Sequence, residues 1–139
     1  MLRDSIERLC TGDHRDDAEV LAGWLSNKTP ERFRDWLADP AGIVVVAERD
    51  DGRIAGVGAC SGTGEITLNY VAPDARFQGV STALLGWLEA HLRARGVATA
   101  TLTSTNTAEA FYRARGYRDA GPRVAWRKDT RVQPMTKPL

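Results

Sequence analysis

Arg76-Phe77-Gln78-Gly79-Val80-Ser81-Thr82 brings a cation, a glycine and two small hydroxyl residues to the point where a helix begins. The first turn of a helix leaves backbone N–H groups without partners and carries the positive end of the helix dipole, so an anion completes it. Gly79 allows a ligand close to the backbone, Ser81 keeps the turn uncrowded and Arg76 adds a full charge, a combination that suits a phosphate group. No Lys-Ser/Thr pair follows the glycine, so a Walker-type nucleotide loop is not indicated. The alternative is an ordinary capped helix after a strand. Cys10, Cys60, His14 and His91 fall at no metal-ligand spacing, and no metal site is expected. Neither cysteine has an activating partner pattern, so both read as small, buried or part-buried residues.

The elements that must position this turn follow from periodicity. A chain of 139 residues is long enough for one domain with a real core, here residues 1–139. With 19 basic and 18 acidic residues the net charge is +1, which gives no general attraction to nucleic acid or to an anionic membrane. The longest apolar stretches are strand-length, and the start MLRDSIERLC is charged where a signal peptide needs an apolar core, so a cytoplasmic location is expected. Residues 1–10 read either as a short strand or as a helix. Asp16 to Leu25 forms a helical face, and Thr29-Pro30 starts a second helix that Asp39-Pro40 stops. Gly42 to Glu48, Arg53 to Ala59 and Glu65 to Val71 form an antiparallel meander, with the glycines of 56–64 explained by turns.

Val80, Leu84, Leu88 and Leu92 then repeat along a helix that Gly96 ends, and Val97 to Thr103 is a strand. A strand, a helix and a strand in that order make a right-handed crossover, so part of the sheet should be parallel. Asn106-Thr107-Ala108-Glu109 reads as a capping box with Asn106 as the cap, opening a helix from Thr107 to Arg115. Two closing strands, 123–128 and 131–137, complete the chain, and exposed terminal strands would allow a homodimer.

The stretch Leu68-Asn69-Tyr70-Val71-Ala72-Pro73-Asp74-Ala75-Arg76-Phe77-Gln78-Gly79-Val80-Ser81 resembles the signature of the GNAT superfamily of N-acetyltransferases, a V-x-P strand end followed by (Q/R)-x-x-G-x-(G/A). Ala108, Phe111, Tyr112, Gly116 and Tyr117 are similar to its second element, A-x-x-F-Y-x-x-x-G-(F/Y), in the same order and at the same spacing. The departures are Ser81 in place of glycine or alanine, and Thr105, with Asn106 next to it, where many members have asparagine. The resemblance implies an α/β (α+β) fold around a mixed, mostly antiparallel twisted sheet of six to seven strands with about four helices, in the order β-α-α-β-β-β-α-β-α-β-β. It also implies acetyl-CoA as cosubstrate. The pyrophosphate would lie on the amides of Phe77, Gln78, Gly79, Val80, Ser81 and Thr82 beside Arg76, and the pantetheine along Tyr70 and Val71 as an added strand. The amide of Val71 would polarise the acetyl carbonyl, and Asn106 and Phe111 would touch the cofactor.

Acetyl transfer to an amine needs a base for an ammonium of pKa about 10.4 and an acid for the departing thiolate. Glu65, at the spacing of the general-base glutamate in Gcn-type members, is the candidate base; its alternative is a solvated strand end. Tyr112 is the candidate acid, its alternative a core tyrosine on an amphipathic helix. Trp24, Trp36 and Trp87 read as packing aromatics, of which Trp24 and Trp36 are able to wall an acceptor pocket, and Asp13, Asp16 and Asp17 read as helix-start carboxylates, their alternative being attraction of a cationic amine. His14 reads as an exposed turn residue, its alternative a second base, and Arg115 joins Arg93, Arg95 and Arg113 in complementing helix C-termini first and touching the cofactor's 3′-phosphate second. The expected activity is transfer to a primary amine by direct attack in a ternary complex; the competing reading is a non-catalytic acyl-CoA sensor.

Overall fold

Leu2, Ile6 and Leu9 are spaced four and three apart, which aligns them on a helix and would scatter them on a strand. The computed structural model, which describes Met1 to Leu139, accordingly opens with α1 (Leu2–Leu9), the helical of the two readings of residues 1–10, whereas the element order implied by the resemblance begins with a strand. A short α2 (Thr11–His14) follows, then α3 (Ala18–Leu25), capped by the Asp17 carboxylate, and α4 (Pro30–Ala38), capped by the Thr29 hydroxyl. The meander forms as expected: β1 (Ile43–Glu48), β2 (Ile54–Cys60) and β3 (Ile66–Val71) pair antiparallel in that order. After a 3₁₀ turn (Pro73–Ala75) come α5 (Val80–Ala94), β4 (Thr99–Ser104) and α6 (Asn106–Arg113). Two-residue strands β5 (Arg118–Asp119) and β6 (Val124–Ala125) and the long β7 (Arg131–Pro138) end the chain.

The strands divide into two antiparallel groups, β1-β2-β3 and β4-β7-β5, with β6 also on β7. The expected parallel pairing survives as one bridge, Glu65 to Thr101, where the Thr101 amide donates to the Gly64 carbonyl at 2.9 Å. Gly64 is required there. Its φ is +102°, and a Cβ would stand 2.6 Å from the Thr99 carbonyl oxygen. Beyond this bridge β3 and β4 part.

Helix α5 covers one face of the meander and α1 and α3 cover the other. Leu85, Leu88 and Leu92 pack with Cys60, Ile66, Leu102 and Met135, while Leu2, Ile6 and Trp24 pack with Val57, Ala59 and Leu68. The glycines of β2 belong to this packing and not to turns, contrary to the reading from sequence. A Cβ at Gly56 would meet Val80 Cγ1 at 2.7 Å, Leu84 Cδ1 at 2.9 Å and the Tyr70 carbonyl at 2.9 Å, and one at Gly58 would meet Leu88 Cδ1 at 3.0 Å. Their missing side chains seat α5 directly on the strand.

Gly56→Ala should therefore destabilise the protein by about 1–3 kcal/mol, because backbone lies among the atoms it would strike. Urea denaturation measures this. An unchanged midpoint would mean that α5 is not held at this distance.

Candidate active site

The gap between β3 and β4 is a cavity of about 510 Å³. It runs from the start of α5, through the two strand edges and past α6, to α1 and α3. In β3 the Ala72 amide donates to the Ala55 carbonyl at 2.7 Å, and Tyr70 and Leu68 stand opposite Val57 and Ala59. Alternation of an antiparallel ladder then turns the amides of Asn69 and Val71 away from β2 and into the gap. Buried backbone donors without partners are costly, so this edge is ready to receive an extended ligand.

At one end of the gap lies the turn into α5. Gly79 is the N-cap, with φ +79° and no side chain over the helix end, so the amides of Val80, Ser81 and Thr82 are left open. Phe77 also has positive φ, +62°, and is 90% exposed, with the Arg76 guanidinium 4.6 Å from its ring centre. Gln78 braces the turn by donating to the Asp74 carbonyl at 3.1 Å, and it does not line the cavity. A second cation, Arg115, whose secondary reading from sequence was a contact to the cofactor's 3′-phosphate, also lines the cavity. Arg115 lies 3.7 Å from the Phe111 ring centre, donates from Nη1 to the Phe111 carbonyl at 2.9 Å and from Nη2 to Thr82 Oγ1 at 2.6 Å. Its placement four residues after Phe111 was the available signal.

Tyr112 lines the middle of the gap and is 8% exposed. Its ring meets Phe111 edge-on at 5.1 Å and Tyr117 at 5.6 Å. Burial pushes its phenol up to about 12, against a smaller opposing pull from the Asn69 side chain beside it. Asn69 Oδ1 is itself buried with no hydrogen-bond partner.

The far end is walled by Ser5, Leu9, Cys10, Trp24 and Tyr70. The Trp24 indole donates to the Tyr70 hydroxyl at 3.3 Å, whereas Trp36 packs edge-on against Phe33 and does not reach the cavity. Burial first, then the charge of Asp13, raises the Cys10 thiol to about 12, with Arg76 opposing, so a thiolate is disfavoured.

Three sequence assignments land elsewhere. Glu65 is exposed at the closed end of the gap, its amide bonded to Ser61 Oγ, and is not among the lining residues, so the structure does not bring it to Tyr112. Asn106 does not cap α6: its Oδ1 accepts from Arg123 Nη1 at 3.0 Å, and Thr105 and Thr107 line the cavity in its place. The cap comes from Asp13, whose Oδ1 accepts from the Thr107 amide at 3.0 Å. His14, expected in solvent, is 1% exposed, its Nδ1 accepting from the Asp16 amide and its Nε2 meeting the Glu7 carbonyl.

Residues 10–139 match the family described as Acetyltransferase (GNAT) domain. Among solved structures, a GCN5-related N-acetyltransferase from Rhodopseudomonas palustris is 26% identical over 99% of this chain and 85% of its own, with a TM-score of 0.85. The PaiA N-acetyltransferase from Thermoplasma acidophilum, in complex with coenzyme A, is 14% identical over 99% and 88%, with a TM-score of 0.78. The ribosomal-protein-S18-alanine N-acetyltransferase from Escherichia coli is 22% identical over 79% and 76%, with a TM-score of 0.69. No curated protein matches the sequence.

All 3 tyrosines carry raised phenol pKa values, Tyr70 and Tyr117 through burial first, as for Tyr112. The folded protein should therefore show no phenolate absorbance at pH 10, where a free tyrosine is half ionised. The unfolded chain loses these protons first, so the stability linked to Tyr112 is complete below about pH 10 and is lost as pH rises through about 12. A spectrophotometric titration with a folded-state midpoint near pH 10 would contradict the burial described.

Proposed function

The chain belongs to the GNAT acetyltransferase family, enzymes that take an acetyl group from acetyl-CoA, and from that premise we propose that it is an N-acetyltransferase for a primary amine, working by direct attack in a ternary complex across residues 1–139. The observation that carries this reading is the convergence of two sets of open amides, Val80 to Thr82 and Asn69 with Val71, on a gap lined by Tyr112. The first set suits a pyrophosphate, with Arg76 and Arg115 as flanking cations, and the second suits the amide-bearing pantetheine arm. Gly79, Phe77 and Phe111 shape that end. Gln78 contributes by holding the turn.

In this reading the amine nitrogen attacks the acetyl carbonyl carbon while the Val71 amide donates to the oxygen that becomes negative. Collapse of the tetrahedral intermediate breaks the C–S bond. The amide product must shed the nitrogen's surplus proton and the thiolate must gain one. A phenol near 12 does not surrender its proton outright to a thiolate whose conjugate acid has a pKa near 8.5. Tyr112 instead donates a hydrogen bond to the sulfur as it leaves, and passes its proton on only as it receives one from the nitrogen. Glu65 takes no part in this scheme. No helix is long and apolar enough to cross a membrane, and the free Cys10 and Cys60 suit a reducing, cytoplasmic setting.

Calorimetry with acetyl-CoA tests the reading. Saturable binding, weakened by Arg115→Ala and not matched by ATP, is the expected result; no binding would overturn it. Tyr112→Phe should keep that affinity and lower kcat by roughly 10²–10³-fold in an assay of thiol release. Unchanged turnover would remove Tyr112 from the mechanism.

A further inference from the structure

Asp13 is 3% exposed, and only half of its carboxylate is accounted for. Oδ1 caps α6 through the Thr107 amide, whereas Oδ2 is buried and has no hydrogen-bond partner. No lysine, arginine or histidine forms an ion pair with it; the neighbouring His14 ring is engaged with Glu7 and Asp16. Capping alone does not call for this. Asparagine or serine caps a helix as well and leaves no buried charge, whereas an unpaired carboxylate in the interior carries a desolvation cost that the α6 dipole offsets by only about half a charge.

The residues around Asp13 indicate where the missing charge would come from. Its amide donates to the Cys10 carbonyl at 2.9 Å, and Cys10 and Thr107 both line the cavity. Its negative charge is felt by the Cys10 thiol and the Tyr70 phenol, both of which line the cavity beside Ser5 and Trp24. No aspartate or glutamate lines the cavity directly. Of the charges acting on Cys10, Asp13 outweighs Arg76.

We propose that Asp13 is a specificity-determining residue, giving the Cys10–Tyr70 end of the gap a negative potential that draws in an aliphatic amine as its ammonium, which releases one proton to solvent before the neutral amine attacks, in preference to arylamines and hydroxyl acceptors. The inference rests on the transferase reading, but the potential itself is testable without any substrate. Cys10 stands at that end and serves as the reporter, while Cys60 is buried in the core.

The protein is treated with the cationic reagent aminoethyl methanethiosulfonate and, separately, with the anionic sulfonatoethyl methanethiosulfonate. The rates at Cys10 are followed by mass spectrometry, and their ratio is divided by that of a free thiol, which cancels any change in thiolate fraction. Wild type should favour the cation roughly tenfold over the free thiol. Asp13→Asn, which keeps an oxygen to cap α6, should bring the ratio down to that of the free thiol or below it, since Arg76 remains, and Arg76→Ala, at an exposed position, should raise it. A wild-type ratio equal to the free thiol's, or one that Asp13→Asn leaves unchanged, would overturn the inference. Absence of acetyl-CoA binding in a parallel titration would count against the transferase reading and not against this one.

Discussion

Two strands that meet at one bridge and then separate set the terms for the rest of this structure. The Glu65–Thr101 pairing brings β3 and β4 together, and Gly64 permits the close approach because no side chain fits against the Thr99 carbonyl. Past that point each strand is paired on its outer side only, β3 to β2 and β4 to β7. The inner edges keep backbone donors and acceptors that a folded protein ordinarily satisfies. A gap with such walls is a demand for an extended, hydrogen-bonding guest. The helices on the meander preserve it: α5 is seated by Gly56 and Gly58 so that its N-terminus opens at one end of the gap, and α1 with α3 closes the other.

The gap is also held by a link between distant parts of the chain. Asp13, between the first two long helices, ties its carboxylate to the start of α6, 94 residues away in sequence. Phe111, Tyr112 and Arg115 all hang from that helix or its end. The wall of one end and the residues of the middle and other end thus share a cap. On the opposite side of α6, Glu89 accepts from the buried Tyr117 hydroxyl at 3.0 Å and from Lys137 at 2.8 Å, which fastens β7 to α5. The β4–β7 half of the sheet is therefore tied to α5 by polar contacts as well as by the leucine core.

Local signals made much of this legible in the sequence. Thr29-Pro30, Gly79 and Gly96 mark real helix boundaries, and the Val80-to-Leu92 repeat faces the core as read. The resemblance placed Gly79 to Thr82, Val71 and Tyr112 around one cavity, as the structure has them. The failures share a physical cause, since each turns on a contact outside the residue's own local pattern. Asn106 fits a capping pattern, but Arg123 takes its carbonyl and Asp13 takes the cap. His14 follows a polar run but is buried by contacts with α1. Glu65 has the spacing of a catalytic base, and strand divergence begins only beyond it. The β2 glycines looked like turn residues because the helix that needs them follows a full strand later.

The open backbone edges are the centre of this account, and amide-resolved NMR reads them one by one. With acetyl-CoA added, the amides of Val80, Ser81, Thr82, Asn69 and Val71 should shift and gain protection from exchange, while those of Tyr70 and Leu68, already paired to β2, change little. Acetyl-CoA that bound while leaving those open amides unaltered, or that altered both sets alike, would contradict the claim that unpaired backbone at the parted strands and the α5 turn is what holds it.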